Sequence, residues 1–127
     1  MRAFVIASFM LVVLGATAQA QQATPFDDRV AEARAAMMAN PPAALEHATA
    51  AEELAGQNSV QRATAQWLRG EALNRLNRPQ EAAPILDAAL VAVAVAAPNT
   101  KLQGDLMMAR AGAARPQPVH LGRAGEP

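Results

Sequence analysis

The sequence predicts an all-α fold of stacked antiparallel helix hairpins, an α-solenoid fragment of about five helices. Three observations carry this. Small and apolar residues recur at three- and four-residue spacing over segments of helix length. Short turns marked by Pro, Gly and Asn separate those segments. One segment also overlays another when slid by 38 residues: Asn40-Pro41-Pro42-Ala43-Ala44-Leu45 falls on Arg78-Pro79-Gln80-Glu81-Ala82-Ala83, Ala48 on Leu86, and Ala51 on Ala89. A period of roughly 34 to 45 residues in a helical chain means stacked hairpins, each burying its face against the next.

The first helix starts at Thr24-Pro25-Phe26-Asp27. Thr24 can cap, Pro25 suits the first helical position, and Asp27 lies three residues after the cap. Val30, Ala33, Ala36 and Met37 line one side, and the helix is expected to reach about Ala39. Asn40-Pro41-Pro42 stops it, because a residue before Pro avoids the α region. The second helix runs from Pro42 to about Ala55, with Leu45, Ala48, Ala51, Glu52 and Ala55 on one side and Gly56 as the break. Asn58, with Gln61 three residues on, caps a third helix reaching about Leu76. Asn77-Arg78-Pro79 is the next turn.

The fourth helix begins near Gln80. Pro84 fits if it lies in or just beyond the first turn, and a start further upstream would imply a kink there. Val91, Val93 and Val95 alternate like a strand, and β-branched residues favour strands. Helix is nevertheless expected, because the intervening residues are Ala and the preceding ones are helical in type. Pro98-Asn99 ends it. Thr100, with Gln103, caps a fifth helix reaching about Ala114.

Composition agrees. Hydrophobic residues make up 52% of the 127 and aromatic residues 3%, so most of the apolar content is alanine. Alanine is the best helix former and lets helices approach closely, so the core should be thin. Formal net charge is zero, with 11 basic and 11 acidic residues interspersed. No basic stripe of the kind that tracks a nucleic acid is present. There is no Cys, so disulfides are excluded.

Residues 1–20 have the pattern of a bacterial signal peptide. Arg2 gives a positive start, Ala3–Gly15 is an apolar run, and Ala18-Gln19-Ala20 fits small-x-small cleavage after Ala20. The run is shorter than the roughly 20 residues of a spanning helix, although an uncleaved anchor is the competing reading. The expected destination is the periplasm or the outside of the cell, with no membrane attachment after cleavage. Residues 21–115 then form the helical domain. Residues 116–127 are expected to be a disordered tail: the stretch from Arg115, RPQPVHLGRAGEP, is rich in Pro and Gly with no apolar period. The abrupt change there also suits a shifted reading frame departing from a longer helical protein.

The stretch LRGEALNRLNRPQEAAPILDAAL, Leu68–Leu90, resembles a tetratricopeptide repeat. Gly70 matches the small residue where the repeat's two helices cross, and Leu73 the large residue one turn on. Asn77 stands where the turn often has Gly. Ala82, Leu86 and Ala89 match the small-large-small series of the second helix. Two departures stand out: Gln66 occupies the position often held by Trp, with Trp67 beside it, and the fourth helix is longer than usual. Residues 26–56 look like a degraded first copy, and 99–115 like the first half of a third. The resemblance implies a protein- or peptide-binding scaffold with no catalytic activity. It also implies that the first-helix positions Thr64, Trp67, Glu71, Asn74 and Arg75 line a concave groove.

The residues themselves place Trp67 away from the Leu68–Ala72–Leu76 side of its helix, near Val60, Thr64, Glu71, Asn74 and Arg75. Two readings follow. Trp67 either anchors a ligand, with Asn74 and Arg75 pairing to backbone or carboxylate groups, or packs against the first or fifth helix in a core short of large side chains. Trp and Arg are enriched at interface hot spots. Glu71 and Arg75 also stand four apart in the order that favours a helical ion pair. An alternative to a self-contained scaffold is a truncated N-terminal sensory part of a larger envelope signalling protein.

Nothing points to catalysis, a cofactor or a metal. His47 and His120 are far apart, and neither has a cluster of Cys or carboxylates around it. Ser59 reads as part of a helix start, and Asp27-Asp28 suits a helix N-terminus. Adjacent Glu52 and Glu53 diverge on a helix. Gly70 lies inside a helix, so no phosphate loop forms. Met37-Met38 and Met107-Met108 read as soft packing residues or, second, as adaptable contact residues.

Overall fold

The computed structural model describes residues 23–116, which form five α-helices. The expected signal peptide and nearly all of the expected tail lie outside the described residues. The helices are α1 (Pro25–Ala36), α2 (Pro41–Ala55), α3 (Ser59–Arg75), α4 (Pro79–Ala96) and α5 (Lys101–Ala114).

Local chemistry sets most of the boundaries. Thr24 and Asp27 form a reciprocal capping box at α1. The side chains of Asn40, Asn58 and Thr100 accept the backbone N–H of Ala43, Gln61 and Gln103 at the starts of α2, α3 and α5. At α4 the preceding residue, Arg78, makes no such bond. It pairs instead with Glu81, and that hydrogen bond holds the Glu81 carboxyl below its usual range. Asn77 takes a positive φ of 61°, the conformation for which a repeat turn often uses Gly, and lets Arg78 N–H reach back to Leu73 O at 2.8 Å. Gly56, at φ 53°, closes α2 in the same left-handed half of the map.

Two boundaries differ from expectation. α1 ends at Ala36 rather than near Ala39, because Met37 N–H bonds Arg34 O and the last turn tightens ahead of Asn40-Pro41. α2 begins at Pro41, one residue early. Val91–Val95 are helical: Val93 is fully buried while Val91 and Val95 face outward.

The helices lie in two rows. α3 touches all four others, with α1 and α5 beside it in one row and α2 and α4 in the second. The pairs α1–α2 and α3–α4 are antiparallel hairpins. α5 stacks on α3 and α4 with no following partner among the described residues.

The core is mostly alanine. Leu68, Leu86, Leu106 and Val93 are the large side chains buried most completely. One cluster joins α3, α4 and α5 around Leu73, Leu86, Val93 and Leu106. A second joins α1, α2 and α3 around Ala33, Met37, Ala48 and Leu68. A third surrounds Phe26 with Ala51, Ala55 and Ala65. Gly70 is where α3 and α4 meet most closely: a Cβ there would overlap the Leu86 side chain, 2.6 Å from its Cγ. Burying this many small groups requires close backbone contact, since dispersion falls off within an ångström.

Polar groups tie the rows together at their edges. Glu52 of α2, mostly buried, accepts from Gln66 at 3.1 Å and pairs with Arg69, both on α3. His47 Nδ1 of α2 lies 3.0 Å from both Arg29 Nη1 and Glu32 Oε2 of α1. Asp87 of α4 pairs with Arg110 of α5 at 2.7 Å.

Candidate functional site

Among the described residues the groove between α1 and α3 has the chemistry of a binding site. It is open, has a volume of about 210 Å³, and is lined by Arg34, Met37, Trp67, Leu68, Glu71 and Arg75. α3 supplies four of these because residues 67, 68, 71 and 75 recur at three- and four-residue spacing on one side of a helix. α1 supplies the other wall, with Arg34 and Met37 one turn apart.

Trp67 is half-buried. Its ring packs against both the cluster around Leu86 and the cluster around Leu68. The Arg34 guanidinium carbon lies 5.5 Å from the ring centroid, within cation–π range. The indole therefore has a packed side and a side that forms the groove floor.

The charges of the groove are uncommitted. Among the described residues, none of Arg34, Glu71 and Arg75 is in an ion pair. The Glu71–Arg75 pair that their spacing favoured does not form. Trp67, Glu71 and Arg75 share the groove. Thr64 and Asn74 lie outside its lining. The Thr64 hydroxyl donates to Val60 O at 2.9 Å in its own helix. The Asn74 amide donates to Ala109 O at 3.0 Å, fastening α3 to α5, while its Oδ1 is buried without a partner.

Arg34 and Met37 were not among the expected site residues. Met37 read as part of the α1 core side, and Arg34 stands one turn before it. Only the register of α1 against α3 sets both beside the indole, and that register is a long-range property.

Elsewhere the chemistry is sparse. Among the described residues no three His, Cys, Asp or Glu side chains gather where they could hold a metal ion. A second concavity, bounded by Thr49, Glu52, Glu53, Arg62 and Arg69, surrounds the Glu52–Arg69 pair that joins α2 to α3. α4 is long and apolar enough to cross a membrane by length and composition alone; here it buries Ala82, Leu86, Ala89 and Val93 in the helical core. No protein-family model, curated protein or solved structure matches the chain.

Proposed function

We propose that this chain is a tetratricopeptide-like scaffold that holds an extended or helical peptide segment of a protein partner in the α1–α3 groove and catalyses nothing itself. The observation that carries this reading is the combination of a partly buried indole floor with two arginines and a glutamate that have no internal ion pair. An apolar side chain of the partner would rest on Trp67, Met37 and Leu68. Arg34 and Arg75 would take carboxylate groups, and Glu71 a cationic or amide group. Thr64 and Asn74 take no part in this contact, since one bonds within its own helix and the other to α5. Desolvating such charges at the centre of a contact gives specificity, and Trp with Arg is the usual hot-spot pairing. The signal-like residues 1–20 support placing this work in the periplasm or outside the cell.

Trp67 is the only tryptophan, so all indole emission comes from the ring that floors the groove. The test is an immobilised library of short peptides varying in acidic and leucine content, probed with the wild-type chain and with Arg34→Ala/Arg75→Ala. Both arginines are exposed, so the double variant should keep the fold, losing only the modest Arg34–Trp67 contact. The expected result is a subset of acidic, leucine-containing peptides that shifts Trp67 emission and binds the variant roughly three- to tenfold more weakly. Equal binding to both proteins, or binding with no change in emission, would remove the groove as the site.

A further inference from the structure

Among the described residues α5 has neighbours on one side only, α3 and α4. Leu106 and Ala109 are buried against them, and Leu102 and Ala113 pack beside these. At about 100° per residue the opposite side gathers Gly104, Met107, Met108 and Ala111. Met107 is 60% exposed and Met108 76%, and a Cβ added at Gly104 would meet nothing within 4 Å. The margins, Lys101 and Arg110, are already paired with Asp105 and Asp87. The Asp87–Arg110 pair sets the antiparallel register of α4 and α5 and so brings Val91 to the level of Leu106, one residue before Met107. Val91 and Val95, 70% and 84% exposed, extend the apolar surface onto α4.

On α3 of the same chain the matching face is covered by a helix, α4. Sliding α3 onto α5 by 41 residues sets Ala65, Leu68 and Ala72 on Leu106, Ala109 and Ala113, the residues that face the core. The same slide sets Ala63 and Gly70 on Gly104 and Ala111. On α3 those two small residues are buried beneath α4, with Leu86 against Gly70. The matching pair on α5 is open and is flanked by two large apolar side chains.

We propose that this face is covered by α5 of a second copy of the chain, in a two-fold, antiparallel contact. Gly104 and Ala111 form a narrow central line, with Met107 on one side of it and Met108 on the other. The pattern is symmetric about the point between the methionines, as an isologous contact requires. Gly104 of one copy then lies opposite Ala111 of the other, the backbones approach there, and the unbranched methionines fold around the partner helix. No charge is buried, and antiparallel pairing sets opposite helix-dipole ends together. The other end of the stack differs: the outward side of α1 carries Asp28 and Glu32, both exposed. A head-to-tail contact would press those carboxylates against apolar surface at a desolvation cost, which the tail-to-tail contact avoids. One helix face with two added valines is smaller than the roughly 800 Å² per partner of standard complexes, so the dimer should be weak, with a dissociation constant on the order of tens of micromolar.

The chain has no cysteine, so single-cysteine variants of the full chain read the contact directly. Gly104→Cys and Ala111→Cys are mixed under mild oxidation, with Ala31→Cys on α1 as control. The expected result is a mixed 104–111 disulfide several-fold more abundant than either homodisulfide, with little cross-linking through residue 31. Met107→Glu/Met108→Glu should abolish dimers in sedimentation equilibrium while circular dichroism stays unchanged, since both side chains are exposed. The proposal is overturned if the homodisulfides predominate or cross-linking through residue 31 matches that of the mixed pair. It is equally overturned if the wild-type chain stays monomeric well above that concentration, or if the glutamate variant still associates, which would place the contact elsewhere.

Discussion

At the scale of single residues, two glycines in similar helical settings should respond to the same substitution with opposite signs. Gly70 lies under Leu86, where a Cβ would overlap a fully buried side chain. Gly104 lies on the open side of α5 with nothing within 4 Å. Gly70→Ala forces α3 and α4 apart or drives Leu86 off its rotamer, which costs about 1–3 kcal/mol. In the monomer, Gly104→Ala in the first turn of α5 adds only helix propensity and should stabilise by up to about 1 kcal/mol. Urea denaturation of the two variants checks both signs. Gly70 was marked in the sequence by its match to a repeat's crossing residue. Nothing local distinguished Gly104, because its freedom depends on which neighbours α5 has. Trp67 illustrates the same limit. That it shares a side of α3 with Glu71 and Arg75 was legible from periodicity, whereas its packing against the Leu68 cluster, expected on another side, and its contact with Arg34 depend on how α1 docks.

At the scale of elements, boundaries were legible wherever a side chain speaks for its own backbone. Thr24, Asn58 and Thr100 cap the helices they were expected to cap, and Asn77 makes the turn. What the sequence obscured was which face of an alanine-rich helix is buried, because alanine occupies both faces and leaves little amphipathic contrast. Of the two roles open to Met107 and Met108, the sequence favours packing over adaptable contact, and both are in fact exposed. Val91 and Val95 likewise looked like half of a strand and lie on the outward side of α4. Pro84 is the remaining irregularity, sitting six positions into α4, past the turn whose N–H groups have no helical partner. It removes the bond that residue 84 would make to Gln80 O and strains that turn. Pro84→Ala should therefore stabilise the fold, by about 1–3 kcal/mol after allowing for the greater freedom of the unfolded chain. A rise in the midpoint of thermal unfolding checks this. No change would mean that α4 is already bent to suit the proline.

At the scale of the whole molecule, the question is whether two and a half hairpins behave as one unit or as a row of weakly coupled ones. In a long repeat array stability is a sum over neighbours, and the ends can fray independently. Here α3 contacts every other helix, and Trp67 packs against both of the larger clusters at once. Asn74 fastens α3 to α5, and Glu52 fastens α2 to α3. The loss of either outer element would leave the indole and α3 partly uncovered, so neither end has a stable intermediate to unfold into. The expected outcome is a single cooperative transition, as in most domains of this size. Trp67 fluorescence and far-ultraviolet dichroism should give the same midpoint. Leu86→Ala empties a fully buried site at the α3–α4 crossing, and it should cost about 2–5 kcal/mol of stability and lower both midpoints together. If the dichroism of the variant instead falls in two steps, with Trp67 emission following only one, the α1–α2 hairpin stands without α4 and α5. In that case the groove would survive the loss of its distal neighbours, and the single-unit account of this fold would be wrong.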